Sequence, residues 1–539
     1  MKQTNMPSIN TSINKGFSWK THEHISFKGY AYDQEGDFLT GSDAIALFMH
    51  IETAESLSAL LRELDGAFTV IIRKHDGVLI GVDTMAMFPV FYTFSDNQWL
   101  VADDAASLAA QKPGKQLNET VLPEFLAGGF VMGCDTLIRG IYKCRAGEVL
   151  FLPNQGKPRH QTYHWFLPPS FTEKDYPVLK KELSAILDKV TERLIRSLDG
   201  RPAVIPLSGG YDSRLIACML KKAGYQNTIC FTYGRPNKES ELSQRVAEKL
   251  GFPWFFTDYR GVYTRTLTED PEFLAYCDHA GHLSSMPFLQ DYFAVRNMRE
   301  QGILHDDSVF IPGHTGDYVA GSYLEKTIRT NNREKTRAAY LIDKYFKFLL
   351  LSKKEKATLT ERLNRWFARY SPPETEEVPG YDIYMEDWEL KEKFAGFIFN
   401  SANVFPFFGY AFRLPLWDKV FREFFRKIPF QYRSYKRLYD EVIQEKYFRP
   451  FGVSFADEIG ETPRKIKRQK RKKLLRPFIP AFIRKKRMRD RDYLCYHRLT
   501  RPMKQDLKIH GTQVRRHIND YNAIITQWYI QEAQKRCDT

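Results

Sequence analysis

The feature that most constrains this chain is a short apolar run, residues 203–207, that ends in Ser208-Gly209-Gly210-Tyr211-Asp212-Ser213 and passes straight into a helical pattern. Leu215, Ile216, Met219 and Leu220 then share one helical face, and Gly224 stops the helix. Residues 228–233 read as a second strand. Residues 241–250 read as a second helix, with Leu242, Val246 and Leu250 four apart and Gly251 behind them. Residues 252–258 read as a third strand. A strand–helix alternation of this kind predicts an α/β fold with a parallel sheet and right-handed crossovers.

The hexapeptide has a direct chemical use. Two glycines let the backbone bend and bring its N–H groups close to an anion. The helix that follows adds the partial positive charge of its N-terminus. Ser208 and Ser213 can donate hydroxyl hydrogen bonds to phosphate oxygens. Asp212 repels a phosphate unless a cation such as Mg²⁺ bridges the two. The plain alternative is an ordinary strand–helix turn. The loop lacks the Gly-Lys-Ser/Thr of a Walker A loop and the GxGxxG of a dinucleotide fingerprint.

The chain before this region is β-rich. Residues 66–73 and 77–82 are β-branched runs separated by Lys74-His75-Asp76-Gly77, a hairpin signal. Residues 89–93 and 99–102 read as further strands. Proline and polar residues cluster at 152–158 and at Pro168-Pro169, so a boundary is expected near residue 170. The expected division is residues 1–168, residues 169–455, and a basic, helical extension over residues 456–539. The apolar stretch 396–412 is interrupted by Asn400, Ser401, Asn403 and Pro406 and reads as a buried core or pocket wall rather than a membrane span. With no signal-peptide pattern, and seven cysteines in no zinc-like pairs, the expectation is a cytoplasmic protein with reduced thiols.

Several ordered motifs extend this reading. Ser208–Ser213 matches the SGGxDS loop of the PP-loop ATP pyrophosphatases. Phe231-Thr232-Tyr233-Gly234, Ser284-Ser285-Met286-Pro287, the segment 312–321 (PGHTGDYVAG) and Arg413-Leu414-Pro415-Leu416-Trp417-Asp418 follow in order. Over residues 20–460 the chain resembles the asparagine synthetase family, class B, and also β-lactam synthetases. The resemblance implies an N-terminal Ntn-type αββα sandwich, then a PP-loop parallel-sheet domain with a helical C-terminal part. It implies that ATP and Mg²⁺ are bound, with Ser208, Gly209, Gly210, Asp212 and Ser213 on the pyrophosphate. Leu207, Tyr233 and Gly313 would approach the adenosine, and Asp212 and Asp317 would hold the metal. The implied reaction activates an acceptor carboxylate as an acyl-adenylate and then transfers an amine. Lys436 and Lys465, with Lys467 beside it, are the candidate catalytic lysines; a solvated surface lysine is the alternative for each.

The chain also departs from that family. The second residue is Lys2 where a catalytic cysteine is expected. The glutamine-clamping stretch reads Val82-Asp83-Thr84-Met85-Ala86-Met87-Phe88-Pro89-Val90-Phe91-Tyr92, without the arginines, and Lys28-Gly29-Tyr30 stands where an oxyanion segment is expected. The expectation is a glutaminase-like sandwich without glutaminase chemistry. Nitrogen would come from ammonia, from a separate glutaminase partner, or from an amine on the substrate. In the second glycine motif, His314 and Tyr318 replace acids. His314 is a candidate general base; a hydrogen-bonded loop histidine is the alternative. Aspartate is therefore not fixed as the acceptor. A uronic-acid sugar of an envelope polysaccharide, another small-molecule carboxylate, and an intramolecular lactam all stay open, as does a tRNA-modifying enzyme.

The formal charge of +15 is local. Residues 464–491 carry fifteen Lys or Arg against one acid, which leaves about +1 for the rest of the chain. Prolines interrupt the apolar centre of that segment, residues 474–483. The segment suits attachment to an anionic membrane surface at the inner face, nucleic acid, or a solvated arm.

Overall fold

A computed structural model of the protein describes residues 6–168, 170–322, 324, 333–370, 372, 382–455, 486, 488–515 and 517–538. The N-terminal part is a pair of sheets packed face to face. Strands Ile25–Tyr32, Asp65–Lys74, Gly77–Val82 and Glu148–Pro153 form the centre of a seven-stranded antiparallel sheet. Strands Ser8–Asn10, Gln98–Ala102, Phe91–Ser95 and Ile141–Lys143 form a four-stranded sheet in that order. The period of two explains the packing. Val70 and Ile72 pack with Leu57 and Leu61 of helix Ala54–Glu63, while Ile71 turns the other way, towards Val90, Tyr92 and Trp99 of the second sheet. Helix Ala105–Gln111 lies against the second sheet, completing the αββα order.

The expected hairpin at 74–77 is present, with Lys74 opposite Gly77. The strand expected from Pro89 starts at Phe91 instead. The turn before it is tied by Asp83, whose carboxylate accepts the N–H groups of Phe68 (3.1 Å), Met85 (2.7 Å) and Met87 (3.0 Å). That ties the conserved-looking shape of this stretch to Asp83 and not to the positions where arginines were expected.

The second part is a five-stranded parallel sheet in the order Trp254–Asp258, Thr228–Gly234, Ala203–Pro206, Val309–Phe310, Ala411–Phe412. From the central strand the chain first builds outward on one side through residue 258 and then crosses to the other side at Val309. The carboxyl ends of Ala203–Pro206 and Val309–Phe310 therefore flank a topological switch point, where such sheets open a crevice. The loop after each of these two strands carries one of the glycine motifs.

The C-terminal helices Tyr496–Ile509 and Asn522–Asp538 are not an appendage. Leu499, Met503, Leu507, Ile524, Ile525, Trp528 and Tyr529 are buried in the main core. The Tyr529 hydroxyl accepts the N–H of Leu283 at 3.1 Å, and the Thr526 hydroxyl lies 3.3 Å from the carbonyl of Leu126. The residues that separate these helices from the parallel-sheet domain, 456–485, lie outside the described residues, and with them most of the basic segment 464–491. Among the described residues no helix is long and apolar enough to cross a membrane. The stretch 396–412 is indeed core and pocket wall: Phe399 is 2% exposed, and Gly396, Phe399, Asn400 and Asn403 line a cavity between the two parts.

Trp528 stacks on Phe273 at 6.1 Å between ring centres and donates its indole N–H to Asp506 at 3.0 Å. Trp528→Ala should therefore destabilise the fold by about 3–5 kcal/mol, read as a lower midpoint of urea unfolding; an unchanged midpoint would show that the C-terminal helices contribute no stability.

Candidate functional site

The first glycine motif closes on itself. The Ser213 hydroxyl accepts the N–H of Ser208 at 3.0 Å, and the Ser208 hydroxyl accepts the N–H of Gly210 at 3.1 Å. Gly210 is the N-cap of helix Tyr211–Lys222 and provides no side-chain cap. The first-turn N–H groups of a 12-residue helix thus lack a capping side chain and face the crevice, which is the arrangement that holds an anion. Arg214 braces the loop from behind, donating to the carbonyls of Gly209 (2.7 Å) and Val453 (2.9 Å).

The second motif is pressed against the first. A Cβ on Gly313 would lie 2.5 Å from the Ser213 nitrogen, and one on Gly316 would lie 3.0 Å from the Asp212 carboxylate. Only glycine allows this approach. It brings the two acids together: the Asp212 carboxylate accepts the N–H of Asp317 at 2.7 Å and the hydroxyl of Tyr439 at 2.8 Å. Burial, and then the charge of Asp317, push the Asp212 carboxyl up from 3.8 to about 7. Two carboxylates that repel each other in a crevice fit a divalent cation shared with phosphate oxygens and water. Among the described residues no group of three or more His, Cys, Asp or Glu could form a metal cage from protein alone. That donor set suits Mg²⁺ brought with a nucleotide, held by Asp212 and Asp317.

The residues expected near an adenosine lie at the same strand ends. Leu207 is buried, its N–H bonded to the Phe231 carbonyl at 2.9 Å. Tyr233 stacks on Tyr259 at 5.2 Å and hydrogen-bonds the buried Asp291. A segment from far along the chain covers this edge. The Tyr493 carbonyl accepts the N–H of Arg235 at 2.6 Å, and a Cβ on Gly234 would meet that oxygen at 2.9 Å. Gly234 has φ +111°, so two constraints select glycine there.

The remaining candidates are placed as follows. The His314 Nε2 is 3.0 Å from the Ser401 hydroxyl, which itself donates to the Ile398 carbonyl at 2.7 Å. Ser401 has one proton, so His314 is the donor, with Nε2–H assigned from this network. Its Nδ1 meets no hydrogen-bond partner. Burial pulls its pKa down to about 4, so near neutral pH it is an uncharged, weakly basic ring. This suits a loop histidine that offers Nδ1 as an acceptor better than the expected general base. Tyr318 is buried, its hydroxyl 3.0 Å from the Glu386 carbonyl. Lys436 stands beside the phosphate loop, 5.2 Å above the Tyr211 ring and 3.3 Å from Asp440, and its charge acts on Asp212. It is left-handed at φ +59°, as is Tyr435 at +57°, a strained pair at the crevice. Lys465 and Lys467 lie outside the described residues. Tyr439, Arg214 and Tyr493 were not legible as site residues in the sequence; each reaches its partner through the fold and carries no local pattern.

In the N-terminal part, Lys28 is 4% exposed. Its ammonium donates to the Ile13 carbonyl, lies 3.8 Å from Asp103, and is covered by the Trp19 and Phe88 rings. Burial draws its pKa down to about 8. Where an oxyanion segment was expected, a packed lysine fills the space.

Two outcomes follow for the loops. The folded protein holds a proton on Asp212 that the unfolded chain has released, so rising pH disfavours the fold between about 4 and 7, and the cost is complete above that. Asp212→Asn should raise the thermal midpoint of the ligand-free protein at about pH 8 and leave it nearly unchanged at about pH 4; equal effects at both would refute the raised Asp212 carboxyl. Gly313→Ala, by forcing the motifs apart, should cut ATP-dependent turnover by about a hundredfold while circular dichroism stays native; unaltered turnover would mean the contact is dispensable.

Comparison with known proteins agrees with this geometry. A glutamine amidotransferase domain model matches residues 18–165. The microcin J25-processing protein McjC of Escherichia coli is 25% identical over 269 residues, 50% of this chain and 49% of McjC, so the chain spans about half the length of that relative. The tRNA(Ile)-lysidine synthase of Thermus thermophilus is 40% identical over 68 residues, 12% of this chain and 13% of that protein. A solved structure, glutamine phosphoribosylpyrophosphate amidotransferase from B. subtilis complexed with ADP and GMP, matches 56% of this chain and 58% of its own at 12% identity with a TM-score of 0.17, too low to bear on the fold. The asparagine synthase model matches residues 184–479, more than half of the chain and all of both glycine motifs; the chain belongs to the asparagine synthase family.

Proposed function

We propose that the protein uses ATP to activate a carboxylate of a peptide and turns it into an amide, with the nitrogen supplied by an amine of the substrate. The observation that carries this reading is the pinning of Asp212 to Asp317 across the switch point, beside an uncapped helix N-terminus. A carboxylate oxygen attacks the α-phosphorus, the α–β bond breaks, and pyrophosphate departs on the Ser208–Ser213 loop. The amine then attacks the acyl carbon, loses a proton, and AMP leaves. Ser208, Gly209, Gly210 and Ser213 hold the pyrophosphate. Leu207, Tyr233 and Gly313 border the adenosine. Lys436 supplies positive charge near the phosphates. Asp212 and Asp317 would hold Mg²⁺, which would supply the charge neutralisation the nucleotide needs there.

The sandwich bears on the nitrogen source. Lys28 is buried beneath Trp19 and Phe88 at the expected oxyanion position, and Val82 and Thr84 stand where arginines would clamp glutamine. This supports a domain that keeps the glutaminase shape without its chemistry. The relative McjC processes a microcin, which is a peptide, and that favours a peptide acceptor. The envelope-sugar acceptor and the membrane contact rested on residues 464–491, most of which lie outside the described residues. The match to tRNA(Ile)-lysidine synthase covers 12% of this chain and supports nothing beyond that stretch.

The test is pyrophosphate release by the full chain with ATP and Mg²⁺ across four acceptors: a microcin-type precursor peptide alone, aspartate with ammonium, a uronic acid with ammonium, and aspartate with glutamine. Release with the peptide alone, and a product lighter by one water, is expected. Release confined to aspartate would restore asparagine synthesis, release confined to the uronic acid would restore sugar amidation, and efficient use of glutamine would overturn the reading of the sandwich. No release with any acid would sink the ligase reading itself.

A further inference from the structure

Between the N-terminal sandwich and the helices of the second part lies an open cavity of about 710 Å³. None of the phosphate-loop or Asp317-loop residues line it, so it is separate from the nucleotide site. Its volume is in the range of pockets that take drug-sized ligands and exceeds what one amino acid fills. One wall is helix Lys353–Arg369, which presents Arg362, Arg365, Trp366 and Arg369 to the cavity. Their spacing of three, one and three residues puts all four on one helical face. The facing wall is a wide, π-helical stretch, Glu389–Ile398, a geometry that recurs at functional sites. It brings in Lys391, whose ammonium lies 3.4 Å from the centre of the Trp165 ring.

The lining holds six Lys or Arg and two acids. Both acids are already engaged. Asp135 accepts from Arg362 at 3.1 Å, and Glu392 accepts the Gly133 N–H at 2.7 Å and the Trp366 indole N–H at 2.6 Å. Arg362 is further held by Glu124 at 2.8 Å, and Lys391 by Asp387 at 3.2 Å. Two cations stay open towards the cavity. Among the described residues Arg365 pairs with Glu361 alone, with both side chains more than half exposed, a weak contact in water. Arg369 forms no ion pair among the described residues. Between these guanidinium groups and the interior stand Trp366, Met85, Met87 and Phe399, an apolar floor.

The inner end of the cavity reaches the chemistry. Phe399 and Asn400 face the cavity, and the next residue, Ser401, carries the hydrogen bond to His314 on the Asp317 loop. One short turn separates the two sites.

We propose that this cavity binds the acceptor substrate as an oligopeptide segment, with Arg365 and Arg369 taking an acidic side chain and the Trp366–Met85–Met87 floor taking its apolar neighbours. The segment's reacting carboxylate is then led past the Phe399–Ser401 turn. This rests on the ligase reading for its purpose, but the binding can be measured without any turnover. The probe is a fluorescein-labelled nonapeptide, acetylated and amidated, in which three Glu alternate with Phe and Gly; its counterpart carries Gln for Glu. The variants are Arg365→Glu/Arg369→Glu and, as a control, Lys354→Glu/Lys356→Glu, which makes the same charge change on exposed positions of the same helix away from the cavity.

Without ATP, anisotropy should show the Glu peptide binding the wild type at least about tenfold tighter than the Gln peptide. The arginine reversal should lose at least about tenfold, and the control less than about twofold; about tenfold corresponds to 1.4 kcal/mol. Equal binding of the two peptides, equal loss in the two variants, or no binding of the Glu peptide would each overturn the proposal. Selective binding without pyrophosphate release from any acid would leave this site standing and remove the ligase reading alone.

Discussion

A buried cluster of opposite charges joins the two halves of the molecule, and the crevices between them depend on it. Asp65 starts a central strand of the large N-terminal sheet. Arg193 comes from helix Tyr176–Leu198, and Asp418 and Arg422 from the segment that follows the last parallel strand. Arg193 meets Asp418 at 2.8 Å and Asp65 at 3.8 Å, and Arg422 meets Asp65 at 3.2 Å. Asp418 also caps helix Lys419–Arg426 through the Val420 N–H at 2.8 Å. Burial and the neighbouring Asp65 push Asp418 up to about 7, against the opposing pull of Arg193 and Arg422. Buried ion pairs of this kind repay their desolvation poorly but tolerate a single geometry. Here that geometry sets the angle at which the sandwich meets the synthetase part.

The same segment reaches further. Arg413 lies over Tyr30 and Phe38 of the sandwich, at 4.7 and 4.3 Å, and donates to the Ser197 carbonyl at 3.0 Å. Trp417 donates to Thr84 at 3.0 Å, within the stretch that in glutaminases would clamp glutamine. The sandwich has thus become a structural partner. Its loops at Met85 to Met87 and Met132 to Asp135 build one side of the interdomain cavity, and Lys28 and Trp19 pack together behind them.

The nucleotide site follows a different logic. It stands at the switch point because a parallel sheet leaves its strand ends open there. The second loop uses glycine for closeness, Gly313 against Ser213 and Gly316 against Asp212, and Gly234 does the same against Tyr493. Close approach adds the charge of Asp317 to the burial that pushes the Asp212 carboxyl up. The pair in turn is steadied from the helix that starts at Arg437, through the Tyr439 hydroxyl.

By itself the sequence determined the parallel sheet and the two glycine loops, because periodicity and glycine placement are local and each motif is contiguous, while the layer order of the sandwich was read from a family resemblance. Lys28, Val82 and Thr84, which differ from the residues expected of a glutaminase, could also be read in place. The sequence marked His314 as a possible base, but burial and the bond to Ser401 make it an uncharged loop ring, and burial is not a property of a tripeptide. Tyr439, Tyr493 and the Arg365–Arg369 face came only with the tertiary structure. Tyr439 and Tyr493 lie more than two hundred residues from Asp212 and Arg235, and the arginine face meets Met85 and Met87 from as far, so only packing of the whole chain could bring them there. The C-terminal helices, polar by composition, likewise proved to be core, because a helix buries one face and composition averages over all of them.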